Sequence, residues 1–297
     1  MPRVSVVVCT LNREKELEDF LTTLRNQTFN DYELVIVSNS ELKIPKARII
    51  LQKGKGLPNA RNHALDKLRG DIIIFFDDDV LLERDYLERV VETFDSNPDI
   101  GGVTGMITNT TDPEIKKGPL SGLMNFYGRI FGISGFFANI PRTGKVLRNG
   151  FTCSNFTAKA TKEVEWLSGC NMSYSRKAFE ENGRFDEGLV ANAYYEDTDF
   201  SYRVFLKGYR LVYNPKARLR HMVTPTSRIS LVKLKYNQII NQKRFFRRNV
   251  YNGSFMRLFA NRVTHMALFL PVLLYSAMFS GKGFLRHYIY AEMGWKL

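Results

Sequence analysis

Asp71-Ile72-Ile73-Ile74-Phe75-Phe76-Asp77-Asp78-Asp79 is the stretch that decides the fold. Five β-forming residues in a row, without polar alternation, describe a strand buried on both faces at the centre of a parallel sheet. Such a strand delivers the residues after it to the crevice at the carboxyl edge of an open α/β sheet. Here those residues are three aspartates. Side by side and unpaired, their carboxylates repel one another, and a cation relieves the repulsion. A divalent metal bridging protein oxygens and a diphosphate is the economical choice. Taken alone, the cluster equally suits a turn whose acids cap a helix starting near Arg84.

Upstream, Val4-Ser5-Val6-Val7-Val8-Cys9 reads as a first strand, and Leu17, Phe20, Leu21 and Leu24 recur behind it at helical spacing. Asn12 is the expected N-cap of that helix, ahead of Glu14 and Glu16. Strands at 32–37 and 49–51 and a helix at 60–68 precede the central strand. This alternation implies parallel pairing with right-handed crossovers. Downstream come a helix at 84–94 and a strand at 100–107. Regularity lapses over 110–162, a length that marks either a functional excursion or hydrophobic packing under a loop. Order returns with a strand-like 166–174, helices at 176–181 and 196–207, and strands at 210–213 and 218–221.

With 297 residues, 44% of them hydrophobic, the chain can bury one generous α/β domain plus an appendage. It opens directly in a strand, without a charged-then-apolar leader, so a cytoplasmic location is expected. Cys9, Cys153 and Cys170 are odd in number and lack metal-type spacing, which fits reduced thiols without a catalytic task. The net charge of +13 is unevenly spread. From Arg228 onward twelve Lys and Arg face one acid, Glu292, whereas the first 227 residues carry 31 basic and 29 acidic side chains. A nearly neutral body with a cationic, aromatic-rich tail points to an anionic membrane surface and away from nucleic acid.

Seven segments stand in a recognisable order: Val8-Cys9-Thr10-Leu11-Asn12-Arg13, Gly56-Leu57-Pro58-Asn59-Ala60-Arg61-Asn62, the Asp77-Asp78-Asp79 cluster, Gly169-Cys170-Asn171-Met172, Phe185-Asp186-Glu187, Glu196-Asp197-Thr198-Asp199-Phe200 and a closing His221. Over residues 4–221 the chain resembles glycosyltransferase family 2. The resemblance implies a GT-A fold, a Rossmann-like and mostly parallel sheet flanked by helices. It also implies inverting, metal-dependent transfer of a sugar from a nucleoside-diphosphate sugar to an acceptor hydroxyl. The departing diphosphate gathers negative charge, which Mg²⁺ or Mn²⁺ stabilises without proton transfer.

Carried onto this sequence, the resemblance makes Asp79 a metal ligand and Asp77 either a second ligand or a holder of the ribose. His221 becomes an imidazole ligand, its plain alternative being a histidine at a strand end. Asp197 matches the base that takes the acceptor's proton, with Glu196 sharing or replacing it; acidity suited to a helix start is the alternative. Asp199 is expected to pair with Arg203 along the helix. Thr10, Asn12, Arg13, Ser38 and Asp78 are expected to bind the nucleotide, and Arg61 to reach the diphosphate with two donors. Trp166, Gly169 and Asn171 fall on the acceptor side, as does the 110–162 excursion. Where the family commonly has acids after the second strand, this chain has Ser38-Asn39-Ser40, which leaves UDP, GDP and dTDP open.

The expected division is a catalytic domain over 1–227 and a basic helical region over 228–297 that associates with a membrane. In that tail Leu231, Leu234, Ile239, Ile240, Phe245 and Phe246 lie among lysines and arginines, a basic amphipathic pattern. Residues 263–281 carry no formal charge and sit at the lower border for a span. They read as a transmembrane helix, an interfacial helix or a soluble docking helix. The chain is thus expected at the cytoplasmic face of the cell membrane, peripheral or with one short hydrophobic segment, acting on a glycan or lipid-linked acceptor. Nucleotidyl transfer would want a Gly-rich basic loop where Thr10-Leu11-Asn12-Arg13 stands. A non-catalytic adaptor would not need both the aspartate cluster and Glu196-Asp197.

Overall fold

Residues 1–109, 119–133, 140, 142–189, 194–223, 231–275 and 282–293 are described by the structure, a computed structural model. The chain begins with β1 (Val4–Thr10), α1 (Glu14–Arg25), β2 (Tyr32–Ser38), β3 (Ala47–Leu51) and α2 (Leu57–Leu65). Next come β4 (Ile72–Asp77), β5 (Val80–Leu82), α3 (Tyr86–Asp95), β6 (Ile100–Ile107) and α4 (Pro119–Phe131). The middle holds β7 (Lys145–Val146), β8 (Thr152–Cys153), β9 (Lys162–Val164), β10 (Asn171–Ser175), α5 (Arg176–Asn182), α6 (Glu196–Leu206) and β11 (Arg210–His221). The C-terminal set is α7 (Leu231–Phe245), a π-helical turn (Phe246–Val250), α8 (Phe255–Tyr275) and α9 (Lys282–Met293).

Two compact units result. The first comprises Met1–Thr110, Phe156–Glu187 and Glu196–Arg228; the second comprises Thr111–Asn155, Gly188–Tyr195 and Ile229–Leu297. The excursion expected inside the first domain is therefore divided, and most of it groups with the C-terminal region.

In the first unit the strands run in the order β3-β2-β1-β4-β10-β6-β11-β5, with β9 added on β11. β1 to β4, β6 and β11 point one way, while β5, β9 and β10 oppose them. The sheet is mostly parallel because helical crossovers return the chain to the same edge. β4 is buried from Ile72 to Phe76, as its unbroken apolar run requires. On one face α1 packs Leu17, Phe20, Leu21 and Leu24, with Phe20 meeting Phe76 at 5.5 Å, and α3 adds Leu87, Val90 and Phe94. The other face carries a ring cluster of Phe75, Phe179, Phe185 and Phe200. Each such side chain contributes roughly 1.5–3 kcal/mol by leaving water.

Several sequence expectations are corrected. The first helix has Arg13, not Asn12, as its N-cap, and no side chain caps it. Asn12 instead sits at φ +53°, a left-handed position its short amide tolerates. Asp77 to Asp79 cap no helix, because the three-residue β5 intervenes and α3 starts only at Tyr86. The two strands expected around 210–221 are one, since an irregularity between Asn214 and Arg218 absorbs Pro215.

In the second unit, α7 buries Tyr236 and Ile239 against Phe151, Leu268, Val272 and Tyr288. Phe245 and, in the turn after α7, Phe246 are buried too, so Ile239, Phe245 and Phe246 of the expected amphipathic pattern belong to the core. Among the described residues no helix is long and apolar enough to cross a membrane, and 276–281 of the uncharged run lie outside them.

Candidate functional site

β1 and β4 are parallel neighbours in the register Cys9↔Asp77, so the loops beyond their ends meet at the carboxyl edge of the sheet. There Thr10 Oγ1 donates to Asp78 Oδ2 at 2.7 Å and Arg13 Nη1 donates to Asp78 Oδ1 at 2.6 Å. Arg13 Nη2 reaches Asp79 Oδ2 at 2.9 Å. Burial pushes the Asp78 carboxyl up to about 6 against the pull of Thr10 and Arg13. Thr10, Arg13 and Asp78, expected to line a nucleotide, turn instead toward one another. They form an inward clasp that fixes the aspartate loop.

Asp79 and His221 meet through backbone pairing. β5 runs antiparallel to the end of β11 with Val80 opposite His221, and Met222 N–H donates to Asp79 O at 2.8 Å. Asn109 brackets the histidine backbone: its Oδ1 accepts from His221 N at 2.8 Å and its Nδ2 donates to His221 O at 3.0 Å. His221 Nε2 then lies 3.0 Å from Asp79 Oδ1 and 3.8 Å from Asp77 Oδ2. Burial opposes a charged imidazole, but hydrogen bonds to Asp79 and Cys170 outweigh it, and His221 is pushed up to about 11.

One ligand atom each from Asp77, Asp79 and His221 fall within 4.8 Å of one another. Two carboxylate oxygens and an imidazole nitrogen suit Mn²⁺, while Mg²⁺ prefers oxygen and retained water. Asp77 is the most open of the three, its side chain 31% exposed. The three aspartates are not the unpaired cluster expected from sequence, because Arg13, Arg61 and His221 supply positive charge around them.

Arg61 of α2 is the hub. Its Nη1 donates to Glu196 Oε1, its Nη2 donates to Gly169 O at 3.1 Å, and Nη2 lies 3.5 Å from Asp77 Oδ1. The guanidinium also stands over the rings of Phe75 and Phe185, at 5.8 and 5.6 Å. With 1% exposure it does not present the expected diphosphate contact. Glu196 is likewise buried under the site, and its Oε2 has no hydrogen-bond partner among the described residues. Burial pushes its carboxyl up to about 8 despite Arg61, so it backs the site and does not open onto an acceptor.

Asp197 stands at the start of α6, half-buried. Its Oδ2 accepts from Gly169 N at 2.9 Å and its Oδ1 from Thr198 N at 2.7 Å. Burial raises its pKa, while these two amides hold it down. A Cβ on Gly169 would lie 2.9 Å from Asp197 Oδ2, which explains a glycine there. Asp199 pairs with Arg203 at 3.0 Å.

Of the three expected acceptor-side residues, only Gly169 touches the Asp197 carboxylate. Trp166 is buried edge-on against Phe156 at 4.9 Å, and Asn171 is fully buried, bonded to Thr104 and to Gly105 O. Ser38 is also buried, its hydroxyl accepting from Ser40 N at 3.1 Å. The exposed amides at the mouth are Asn12 and Asn39, joined at 2.9 Å. Sequence reasoning gave Asn109 and Asn62 no role of their own, and Asn39 entered it only within Ser38-Asn39-Ser40. Asn62 accepts from Phe185 N at 2.9 Å and donates to Phe185 O at 3.0 Å and Glu187 Oε1 at 2.8 Å, pinning the Phe185-Asp186-Glu187 turn.

The profile described as "Glycosyl transferase family 2" matches residues 5–183. Over 251 residues the chain is 26% identical to glucosyl-dolichyl phosphate glucuronosyltransferase of Haloferax volcanii, covering 74% of this chain and 69% of that protein. Over 235 residues it is 22% identical to poly-beta-1,6-N-acetyl-D-glucosamine synthase of Staphylococcus aureus, covering 75% of this chain and 50% of that longer protein. Among solved structures, the mannosyltransferase PcManGT from Pyrobaculum calidifontis, in complex with GDP-Man and Mn²⁺, matches with a TM-score of 0.59 at 15% identity, over 98% of this chain and 86% of its own. GalNAc-T7 with UDP, GalNAc and Mn²⁺ matches with a TM-score of 0.57 at 15% identity, over 83% and 48%. At such identities the structural likeness speaks for the fold, which is of the GT-A type.

Proposed function

This chain belongs to glycosyltransferase family 2 and is a glycosyltransferase; we propose that it moves a sugar, with inversion, from a nucleoside-diphosphate sugar to a hydroxyl of a lipid-linked or polysaccharide acceptor. We place that acceptor at the cytoplasmic membrane face, reached by peripheral attachment of the basic C-terminal unit. The observation that carries the reading is the convergence of Asp77, Asp79 and His221, tied through Arg61 and Gly169 to Asp197. GDP-mannose and UDP, each with Mn²⁺, in the two structural relatives support a nucleoside-diphosphate donor and this ion. The Haloferax relative's dolichyl phosphate substrate and the staphylococcal relative's polymer support the acceptor class.

Asp77, Asp79 and His221 would hold Mn²⁺ or Mg²⁺, which when bound supplies charge neutralisation on the departing diphosphate. Arg13 grips Asp79 by Oδ2 and so leaves Oδ1 directed at the site. Asp197, whose basicity rises with burial, accepts the acceptor hydroxyl's proton as the glycosidic bond forms. Arg61 positions Asp77 and, through Gly169, Asp197. The paired amides of Asn12 and Asn39 offer donors and acceptors to a nucleotide base.

Isothermal calorimetry with UDP, GDP and dTDP, with and without Mn²⁺, tests the assignment. Binding is expected to require Mn²⁺, to weaken by at least about tenfold in Asp79→Ala and to survive in Asp197→Asn. The same Asp197→Asn protein is expected to lose about 10²–10⁴-fold in turnover. Mn²⁺-independent binding that Asp79→Ala leaves untouched would refute the metal assignment.

A further inference from the structure

After Arg228 the only acid is Glu292, and it is engaged inside the second unit. Its Oε2 lies 2.6 Å from Lys243 Nζ and its Oε1 2.7 Å from His265 Nδ1. The region's surface charge is thereby left to its cations.

α8 divides into two faces. Asn261, Thr264, His265, Leu268 and Val272 are buried, while Phe255 (73% exposed), Phe259 (53%), Met266 (77%), Phe269 (43%) and Leu273 (38%) are open. At 3.6 residues per turn these five fall in one stripe about 80° wide, within which the exposed Arg262 also lies. Beside it opens a cleft of about 240 Å³, lined by Lys243, Arg247 and Arg262 over Phe246, Tyr251 and Leu258. Burial first, and then Arg262 and Arg247, lower the Lys243 ammonium's pKa against the pull of Glu292. Arg247 and Arg262 thus crowd the Lys243–Glu292 pair there.

A contiguous apolar stripe on a surface marks an interaction site. Charge selects the occupant. An anionic bilayer satisfies both features together, because its acyl boundary takes Phe and Met while its phosphates take Arg and Lys.

We propose that α8 lies in the plane of an anionic lipid surface, with Phe255, Phe259 and Met266 in the acyl boundary and a lipid phosphate seated between Lys243, Arg247 and Arg262. This deepens the membrane-face part of the proposed function and rests on that part alone. The nucleotide chemistry stands or falls separately.

Flotation of the full chain with phosphatidylcholine vesicles, with and without phosphatidylglycerol, provides the test. The wild type floats with the anionic vesicles and remains below with the neutral ones. Both Phe255→Ser/Phe259→Ser and Arg247→Gln/Arg262→Gln lower anionic partitioning by about tenfold or more. Calorimetry with nucleoside diphosphate and Mn²⁺ on the same variants matches the wild type, which separates loss of docking from loss of fold. Wild type that ignores anionic vesicles, or variants that float as well as wild type, overturns the proposal. So does a wild-type dimer in sedimentation velocity that the phenylalanine variant dissolves, since the stripe would then join two copies. Inorganic phosphate forms the last arm: Arg-dependent thermal stabilisation by phosphate without flotation overturns the lipid assignment in favour of a free anion.

Discussion

Gly169 places both its backbone groups in the site, one on Asp197 and one against Arg61. Gly169→Ala drives a methyl group to within 2.9 Å of Asp197 Oδ2 and displaces the carboxylate. Steady-state kinetics should show turnover reduced by about 10²-fold, given the sensitivity of proton transfer to position, while circular dichroism stays unchanged. Glu196 has the opposite character, a carboxyl that burial pushes up to about 8 against the pull of Arg61. An unfolded glutamate titrates near 4.5 and the folded one near 8. Between those values the native state holds a proton the unfolded state has released, so stability falls as pH rises. Glu196→Gln removes that slope. Calorimetric scans from about pH 5 to pH 8 should show Tm of the variant gaining steadily on wild type; a constant difference would refute a neutral Glu196.

At the scale of elements, the Asn62 amide ties α2 to the Phe185-Asp186-Glu187 turn, beside bonds from Asn59 to Glu187 and from Arg184 to the Asn62 carbonyl. Asn62→Ala strands Phe185 N–H and C=O in a buried place, which costs about 2–3 kcal/mol in urea unfolding. Such ties lie beyond periodicity, whereas the elements they join do not. The central strand was legible from its unbroken apolar run, and α1 and α3 from apolar residues that recur at helical spacing. β5 was not, since three residues after an acidic cluster carry no period, and only a partner strand far along the chain makes them extended. Asn214-Pro215 looked like a break because proline cannot join a ladder, yet the bulge absorbs it. Among the candidate residues, Asp77, Asp79 and His221 could be singled out from order alone, and the fold brings them within 4.8 Å of one another. The roles of Arg13 and Arg61 could not, because whether a guanidinium faces a ligand or a neighbouring carboxylate depends on packing. On α7 the amphipathic pattern was real, but a pattern does not say whether core or lipid receives the apolar face.

For the whole molecule, a ligand that binds only the folded state raises its stability. Mn²⁺ with a nucleoside diphosphate at a hundredfold excess over Kd should add about 2.7 kcal/mol, seen as a rise in Tm that EDTA abolishes. Equal stabilisation in the presence of EDTA would sink the Mn²⁺ assignment. The pairing of β5 with the end of β11 has a further consequence for synthesis. Asp79 leaves the ribosome 142 residues before His221, so two of the three proposed ligands are made well before the third. Non-local pairing of this kind closes late. A nascent chain interrupted before β11 therefore carries Asp77 and Asp79 without the imidazole that the proposed metal site needs.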